Sequence, residues 1–470
     1  MIPLDRIERN PLITEAGYSL LTRILQHPSA PRWNFVTGDR VVAEDLPLVQ
    51  SFREAVRSRR GGGDRPSSEL LAWVSGLRDR VRLFEEHLPL GFDLERDWPH
   101  VPTCGREDLA VRVERLVPWD EDLSRLIVYD TSGTSGHVLR VPHHPRAMAQ
   151  NHALMEYALA RHGATPDFSA GRVACFNVGA QEARTVVFAN VFSVWDQAGF
   201  AKVNLSPSEW KDGAAARQFF GDLSPQFLTG DPVGFAEMAR WEVSASPAAM
   251  VSTAVALGPG LKRALRQRYG CPVIDWYSST ETGPVAYSCP LGEGLHVLPH
   301  DLFVEVLGDD GFPVGEGRRG EIAVTGGRNP YVPLLRYRTG DWARLDFSPC
   351  ECGETTPRLL DLEGREPVFF RSGEGAVVNA VDIGRVLRDY PVVQHEVVQR
   401  ADGSCDVAVR GAMGLALALD AVGHALAGLL GTGILLRVRE DPALGERLSG
   451  GKVRPYRSEL EPGRGAPPDG

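Results

Sequence analysis

Residues 126–136 read LIVYDTSGTSG, an apolar run that leads directly into a turn of Gly, Ser and Thr. The apolar run predicts a strand, and the turn would present backbone N–H groups and hydroxyls to an anion such as a phosphate. No Gly-Lys-Ser/Thr follows, so the stretch is not a Walker loop. Small polar turns are also common for purely structural reasons, and the motif alone does not decide between the two interpretations.

Apolar β-rich runs alternate with helical patterns on the C-terminal side of this stretch. The runs include RVACFNV, AKVNL, QFLTG and PVIDWY, and their alternation with helices predicts a largely parallel α/β core. Residues from about 295 to 345 instead resemble a series of hairpin strands with Asp-Asp-Gly turn chemistry. On the N-terminal side, periodic apolar residues predict helices over 45–57 and 70–87.

A change of pattern after Gly364 predicts a domain boundary. The smaller unit beyond it has the order βαββαβ. We therefore predict an α/β fold with a large N-terminal domain of mixed sheets and helices (1–363) and a small α+β C-terminal lid domain (364–470). The Pro/Gly-rich tail 461–470 is expected to be disordered.

The composition is that of an ordinary globular protein, with 470 residues, 43% of them hydrophobic, and a net charge of −10. The acidic balance argues against a nucleic-acid partner. The seven cysteines are an odd number and the first residues do not resemble a secretory signal, so we expect reduced thiols or metal ligands in a cytoplasmic protein. The apolar stretch 412–436 contains Asp420 and His424, so we expect a helix and a strand rather than a membrane span.

Two further motifs follow predicted strands. The first, DWYSSTETG (Asp275–Gly283), places an aromatic side chain next to small residues and supplies a carboxylate, Glu281, that could hold Mg²⁺ beside phosphate oxygens. The second, YRTGD (Tyr337–Asp341), ends in a carboxylate that could accept both hydroxyls of a ribose. Taken singly, each could equally be a structural turn.

These three motifs, together with Gly364-Arg365 and Ser449-Gly-Gly-Lys452, occur in an order that resembles the adenylate-forming superfamily of acyl-CoA synthetases and adenylation domains. In its overall residue pattern the sequence most resembles the phenylacetate–coenzyme A ligase branch, which includes aryl-acid ligases of natural-product pathways. The resemblance covers about residues 125–457. It implies that ATP and Mg²⁺ activate a small, aromatic carboxylic acid as an acyl-adenylate. The acyl group would then pass to the thiol of coenzyme A or of a carrier protein, in a monomer or homodimer.

The resemblance also implies roles for individual residues. The phosphate-binding loop would comprise Thr131, Ser132, Gly133, Thr134, Ser135 and Gly136. The other nucleotide contacts would be Tyr277 stacked on adenine, Ser278 beside it, Thr280 and Glu281 at the α-phosphate and Mg²⁺, and Asp341 and Arg365 at the ribose. Lys452, one of only four lysines in the chain, would bridge the substrate carboxylate and the α-phosphate during adenylation.

The chain departs from the family pattern at two places. The phosphate loop usually continues with a lysine, whereas here His137-Val-Leu-Arg140 follows. Glu366-Pro367 follows the Gly-Arg pair near the predicted hinge. Because proline restricts φ, it puts the usual rotation of the lid in doubt.

The stretch Gly179-Ala-Gln-Glu-Ala-Arg184 lies where the family lines its acyl pocket. Gly179, Glu182 and Arg184 are therefore candidate contacts for the acid, although Glu182 and Arg184 could equally form a pair at the start of a helix. His143 and His144 precede a predicted helix, where we expect caps or surface residues rather than ligands.

Four residues form a candidate metal site outside these motifs. Cys289, His296, Cys350 and Cys352 offer three thiols and one imidazole, a set that suits a closed tetrahedral Zn²⁺ site. They flank the β-rich segment 295–345, so one structural zinc could join its ends. The alternative is that they are four unrelated reduced side chains.

Two other functions are compatible with the sequence. One is ATP-dependent adenylation with a different acceptor or a non-carboxylate oxyanion, for example the activation of nitrite towards an arylamine, and the altered phosphate loop and hinge keep it open. The other is a non-catalytic, zinc-stabilised nucleotide-binding module. The presence of Glu281, Asp341 and Lys452 argues against that last possibility.

Overall fold

The computed structural model describes residues 2–58, 62–131, 139–180, 185–254, 257–299, 301–364, 368–375, 377–412, 415–431, 433–444 and 455–460. The chain divides into two compact units. The first comprises 1–180, 185–256 and 269–366, and the second comprises 181–184, 257–268 and 367–470. Within the described ranges, no helix combines the length and the apolar character that crossing a membrane requires.

The helices of the first unit begin at side-chain caps in several places. Thr14, Ser67, Asp212 and Asp231 each accept a backbone N–H two or three residues into the helix that follows. The helices are α1 (Leu4–Arg9), α2 (Glu15–Leu25), α3 (Asp45–Ser58), α4 (Ser68–Leu77), α5 (Arg82–His87), α6 (Leu94–Asp97), α7 (Arg106–Arg112), α8 (Pro145–Arg161), α9 (Gly213–Leu223) and α10 (Pro232–Arg240). The helix α11 (Pro259–Tyr269) falls almost entirely in the second unit.

The prediction of a single helix over 70–87 is wrong, because this stretch forms two helices, α4 and α5. Leu77, Val81, Leu83 and Phe84 all belong to one buried cluster. A straight helix would place Leu83 on a different face from the other three. The break after α4 lets all four side chains enter the same core.

A mixed sheet of twelve strands organises the first unit. Its order is β11-β12-β13-β14-β10-β9-β8-β7-β6-β3-β5-β4. The strands are β3 (Val173–Gly179), β4 (Phe188–Phe192), β5 (Ala198–Asn204), β6 (Phe227–Gly230), β7 (Met250–Ser252), β8 (Val273–Ser279), β9 (Gly283–Ser288), β10 (Leu295–Val297), β11 (Leu302–Leu307), β12 (Arg319–Gly326), β13 (Leu334–Asp346) and β14 (Arg358–Gly364). A separate hairpin pairs β1 (Ile127–Thr131) with β2 (Leu139–His143).

The predicted α/β fold class is confirmed. Strands β5, β3, β6, β7 and β8 run parallel, and the segment from β10 to β13 is antiparallel, as its turn chemistry predicted. Successive residues of β3 are buried on opposite faces of the sheet. Cys175 belongs to a cluster with Leu154 of α8, whereas Phe176 packs its ring against Phe219 of α9. Helices thus cover both faces, as parallel strands require.

The second unit is built on a four-stranded sheet with the order β19-β18-β17-β20 and a separate hairpin, β15–β16. Its elements are β15 (Phe369–Arg371), β16 (Val377–Asn379), α12 (Ala380–Arg388), β17 (Val392–Gln399), β18 (Cys405–Gly411), α13 (Leu419–Leu430), β19 (Leu436–Glu440) and β20 (Tyr456–Ser458). Val397, Val407, Val422 and Leu426 are among the residues of its core. The predicted hinge at Glu366-Pro367 and the tail 461–470 lie outside the described residues.

Candidate functional site

The turn between β8 and β9 carries the second motif. Gly283 begins β9 with φ +67°, a left-handed conformation that glycine adopts without strain. The Ser279 hydroxyl accepts the backbone N–H of Thr282 at 3.1 Å and lies 2.9 Å from the Thr282 hydroxyl. The turn therefore places Thr280 and Glu281 at the carboxyl end of β8. Open α/β sheets bind their ligands at the carboxyl ends of parallel strands.

Two tyrosines link the second motif to the third. The hydroxyl of Tyr277, on β8, donates a hydrogen bond to Asp341 Oδ2 at 2.9 Å. The hydroxyl of Tyr337, on β13, donates to Glu281 Oε1 at 2.9 Å. Each motif thus supplies the tyrosine that orients the carboxylate of the other, and the two carboxylates are held by a reciprocal pair of hydrogen bonds.

Burial ensures that both tyrosines act as donors. Tyr277 and Tyr337 are 9% and 0% exposed. Burial in the first place, and the adjacent carboxylates in addition, raise the pKa of each hydroxyl well above its ordinary value. Both hydroxyls therefore remain protonated around neutral pH, and each keeps its carboxylate in one orientation.

Glu281 retains one uncommitted carboxylate oxygen. Its side chain is buried, Oε1 accepts the Tyr337 hydroxyl, and no hydrogen bond from any described residue reaches Oε2. Mg²⁺ is commonly held by one or two protein carboxylates, with water and phosphate oxygens completing its octahedron. The residues present therefore fit a magnesium ion at Glu281.

The structure places the other described nucleotide residues near these elements. The Tyr277 ring lies in an apolar cluster with Val285, so its stacking on adenine stays a prediction. Ser278 pairs with Pro284 across the β8–β9 turn. Thr131 ends β1 and pairs with Leu139 of β2.

Of the three predicted acyl-pocket residues, the structure describes Gly179. It ends β3, and its carbonyl accepts the Leu205 N–H at 2.7 Å. The residues outside the described ranges are Ser132, Gly133, Thr134, Ser135, Gly136, Glu182, Arg184, Arg365 and Lys452.

Three polar side chains that no motif predicted lie beside Glu281, namely the buried His143 and Arg328 and the partly buried Asn151. None of them belongs to a recognisable motif. His143 and His144 were expected to be caps or surface residues. His144 does cap α8, because its Nδ1 accepts the Arg146 N–H at 3.0 Å, but both histidines are more than nine-tenths buried. The start of α8 is thus in the protein interior, which no local pattern reveals.

The four predicted metal ligands converge in the structure. The ligand atoms of Cys289, His296, Cys350 and Cys352 all lie within 4.8 Å of one another. Cys289 Sγ is 3.6 Å from Cys350 Sγ, and Cys352 Sγ is 3.3 Å from His296 Nε2. Zinc bonds of about 2.3 Å to sulfur and about 2.0 Å to nitrogen would separate tetrahedral ligand atoms by roughly 3.5–3.8 Å. The cluster therefore has about the size that zinc requires.

The sheet explains how ligands some 50–60 positions apart meet. Cys289 directly follows β9, His296 lies on β10, and Cys350 and Cys352 precede β14. These three strands are neighbours in the order β14-β10-β9. The antiparallel pairing of β10 with both partners brings their ends to one place.

Polar groups around the cluster favour metal binding. Backbone N–H groups of Gly292 and Glu354 donate to Cys289 Sγ at 3.1 Å and Cys352 Sγ at 3.4 Å, so hydrogen bonds hold two of the sulfurs in place. His296 Nδ1 lies 3.1 Å from the Thr356 carbonyl, so Nε2 is available to a metal. Four protein ligands leave no open position, and the set fits a structural zinc.

Glu354 joins this cluster to α8. Its carboxylate accepts the hydroxyls of Tyr157 and, at 2.9 Å, of Tyr287. Arg161, also on α8, donates to the Cys352 carbonyl at 2.8 Å. The helix α8 thus starts just after His143, which lies beside Glu281, and ends against the cluster.

Comparison with curated proteins finds local and distant similarity, and no protein-family model matches the chain. The chain is 34% identical over 121 residues to phenylacetate-coenzyme A ligase of Thermus thermophilus, covering 25% of this chain and 26% of that protein. It is 32% identical over 186 residues to indoleacetate–CoA ligase of Aromatoleum aromaticum, covering 35% and 34%. Protein CapK of Staphylococcus aureus aligns over 312 residues at 22% identity, covering 64% and 66%. The alignments span about a quarter to two thirds of the length of these relatives.

Solved structures match over most of the chain. A 2-hydroxyisobutyryl-CoA ligase in the postadenylation state, in complex with R3-HIB-AMP, has a TM-score of 0.60 at 16% identity and covers 84% of this chain and 90% of its own. The anthranilate CoA ligase AuaEII, in complex with anthranoyl-AMP, has a TM-score of 0.51 at 15% identity and covers 94% and 96%. The resemblance drawn from the motifs is confirmed: this chain has the fold of the adenylate-forming CoA ligases and shares sequence similarity with phenylacetate–coenzyme A ligase.

Proposed function

We propose that the protein uses ATP to activate a small carboxylic acid as an acyl-adenylate and transfers the acyl group to the thiol of coenzyme A. The reciprocal hydrogen bonds Tyr277–Asp341 and Tyr337–Glu281 carry the proposal. They join two motifs that the resemblance assigns to ATP, and they orient two carboxylates with different tasks. The names and fold of the related ligases support the same chemistry.

The chain's own residues position the nucleotide in this proposal. Asp341, oriented by Tyr277, accepts the ribose hydroxyls, and Glu281 offers Oε2 to a magnesium ion. Magnesium bound there would neutralise charge on the phosphate oxygens. The ammonium of Lys452 would stabilise the charge that develops at the α-phosphate, the kind of preorganised electrostatic contribution that dominates many enzymes.

The chemistry proceeds in two displacements. A carboxylate oxygen of the acid attacks the α-phosphorus, the bond from that phosphorus to the bridging oxygen breaks, and pyrophosphate leaves with the electron pair. The thiol sulfur, having lost its proton, then attacks the acyl carbonyl and AMP leaves. In this proposal, residues 364–470 act as a lid that reorients between the two steps.

The acid is proposed to be aromatic. Two relatives are named for phenylacetate and indoleacetate, and one structural neighbour for anthranilate. The 2-hydroxyisobutyryl-CoA ligase is named for an aliphatic acid, so short aliphatic acids belong in the same test. We also propose that the Cys/His cluster holds one structural zinc.

A pyrophosphate-release screen over aryl and short aliphatic acids, with and without coenzyme A, tests the proposal. We expect acid-dependent release of pyrophosphate and AMP, and a CoA thioester when coenzyme A is present. Release with an acid but without a thioester would instead support a different acceptor. Release with nitrite and an arylamine alone would support a non-carboxylate oxyanion, and binding of ATP without turnover would support a non-catalytic module.

A further inference from the structure

A small cavity adjoins the Glu281 turn in the first unit. His143, Asn151, Glu281, Thr282 and Arg328 contribute its polar lining. The cavity offers about 20 Å³ to the centre of a water-sized group, and a single water needs roughly 10–15 Å³. It therefore has room for an oxygen atom and its hydrogen bonds.

Arg328 brings a buried positive charge to this cavity. The side chain is 7% exposed, and its Nη1 and Nη2 donate to Asn151 Oδ1 at 3.0 Å and to the Pro284 carbonyl at 3.3 Å. Among the described residues only one carboxylate lies within 4.0 Å of it, that of the half-exposed Asp301 at 3.5 Å. Burial lowers the pKa of the guanidinium, because loss of water outweighs this attraction.

The positive charge of a second buried arginine is fully compensated by its partners. Arg336, 1% exposed, faces the equally buried Glu305 with two contacts of 3.3 Å and donates to three backbone carbonyls as well. The charge of Arg328 has no such partner in the described part of the chain. An anionic atom in the adjoining cavity would provide one.

Two further observations place the guanidinium and an unpartnered imidazole nitrogen beside this cavity. A Cβ at Gly283 would lie 3.0 Å from Arg328 Nη1, so the glycine lets the guanidinium approach the turn. His143 Nε2 is buried and has no hydrogen-bond partner in the described ranges. A buried polar atom left unsatisfied costs about 1–3 kcal/mol, which a hydrogen bond to a bound oxygen would remove.

We propose that this cavity receives one oxygen of the terminal phosphate of ATP, and of the pyrophosphate that leaves. Arg328 supplies the positive charge for that oxygen, and His143 Nε2 supplies a hydrogen bond to it. Thr282 and Asn151 line the same space, and the Glu281 carboxylate stands beside it as the proposed magnesium ligand. Arg328 thereby takes over the charge of the lysine that the phosphate loop lacks after Gly136. The inference rests on the proposed function.

The test is equilibrium binding of inorganic pyrophosphate with MgCl₂, in the absence of ATP, to wild type, Arg328→Met and Arg318→Met. Arg318 is an exposed arginine that precedes β12, whereas Arg328 follows it, and serves as the control. We expect Arg328→Met to weaken pyrophosphate binding by about 10- to 100-fold, the loss of one charge-assisted hydrogen bond. AMP affinity should change less than about twofold, and Arg318→Met should behave as wild type.

Unchanged pyrophosphate affinity in folded Arg328→Met would overturn the inference, as would an equal loss of AMP affinity. If Arg328→Met does not fold, Arg328→Lys keeps the charge without the planar fork. It should bind pyrophosphate more weakly than wild type while AMP affinity is retained, and wild-type pyrophosphate binding in that variant would contradict a role for the guanidinium.

Acid-dependent ATP–pyrophosphate exchange separates this inference from the proposed function. Wild type without exchange for any acid would refute the proposed function itself. Exchange in wild type combined with an unchanged pyrophosphate KM in Arg328→Met would refute only the role of Arg328.

Discussion

The Cys/His cluster and the proposed nucleotide site are two polar centres of one sheet, and they differ in how many of their polar atoms have a partner within the protein. In the cluster, which we call the closed centre, four ligand atoms face one another and backbone N–H groups contact two of the three sulfurs. At the proposed nucleotide site, which we call the open centre, Glu281 Oε2 and His143 Nε2 have no hydrogen-bond partner among the described residues, and Arg328 is weakly compensated. We therefore expect substitutions in the closed centre to change stability and substitutions in the open centre to change ligand binding.

We expect the largest effect from removing one ligand of the closed centre. Cys350→Ser removes one of four zinc ligands and should lower the melting temperature by about 5 °C or more, since metal loss is among the most destabilising changes. Bound zinc, measured by elemental analysis, should fall from about one equivalent per chain. ATP affinity of the folded fraction should be retained.

Cys271→Ser is the matched control, because Cys271 is buried but lies outside the cluster. It should keep its zinc. Wild-type protein that is purified without chelator and contains no zinc would show that the closed centre is not a metal site.

The next effect concerns the open centre. Glu281→Gln keeps the shape of the side chain but removes its charge, and should reduce adenylation by about 10²-fold with little change in melting temperature. Raising the Mg²⁺ concentration should restore part of the rate. The exposed Glu293→Gln serves as the control. A large loss of stability in Glu281→Gln would place Glu281 with the structural groups instead.

Asp341→Ala should have a smaller effect of a different kind. Loss of a charge-assisted contact worth about 1.5–3 kcal/mol should raise the KM for ATP by about 10- to 100-fold, with kcat less affected. Steady-state kinetics with saturating acid measures the split. A drop in kcat at unchanged KM would show that Asp341 does not hold the ribose.

The smallest effects should come from the two tyrosines, and they test the reciprocal pairing. Tyr277→Phe leaves Asp341 without its 2.9 Å donor, and Tyr337→Phe does the same to Glu281. Each variant acts on the ligand only through the orientation of a carboxylate that stays in place, so we expect about a fivefold effect, equivalent to about 1 kcal/mol. Tyr277→Phe should raise the ATP KM and Tyr337→Phe should shift the Mg²⁺ dependence. Identical profiles for the two variants would contradict the separate roles.

The sequence predicted those features that depend on local pattern. The alternation of strands and helices predicted the parallel core, and the Cys/His set was identifiable because these residue types are rare and flank one β-rich segment. His143 and Arg328 could not be identified, since their burial results from α8 and the β12–β13 connection packing around the β8–β9 turn. The break between α4 and α5 was missed for the same reason, because only the shared core of Leu77 and Leu83 requires it.

Mass spectrometry of a quenched reaction that contains enzyme, ATP, Mg²⁺ and an accepted acid but no coenzyme A tests directly for the acyl-adenylate. We expect a species with the mass of the acid plus AMP minus water, which disappears as the thioester forms when coenzyme A is added. A CoA thioester formed together with ADP, or without any AMP-linked intermediate, would contradict this expectation.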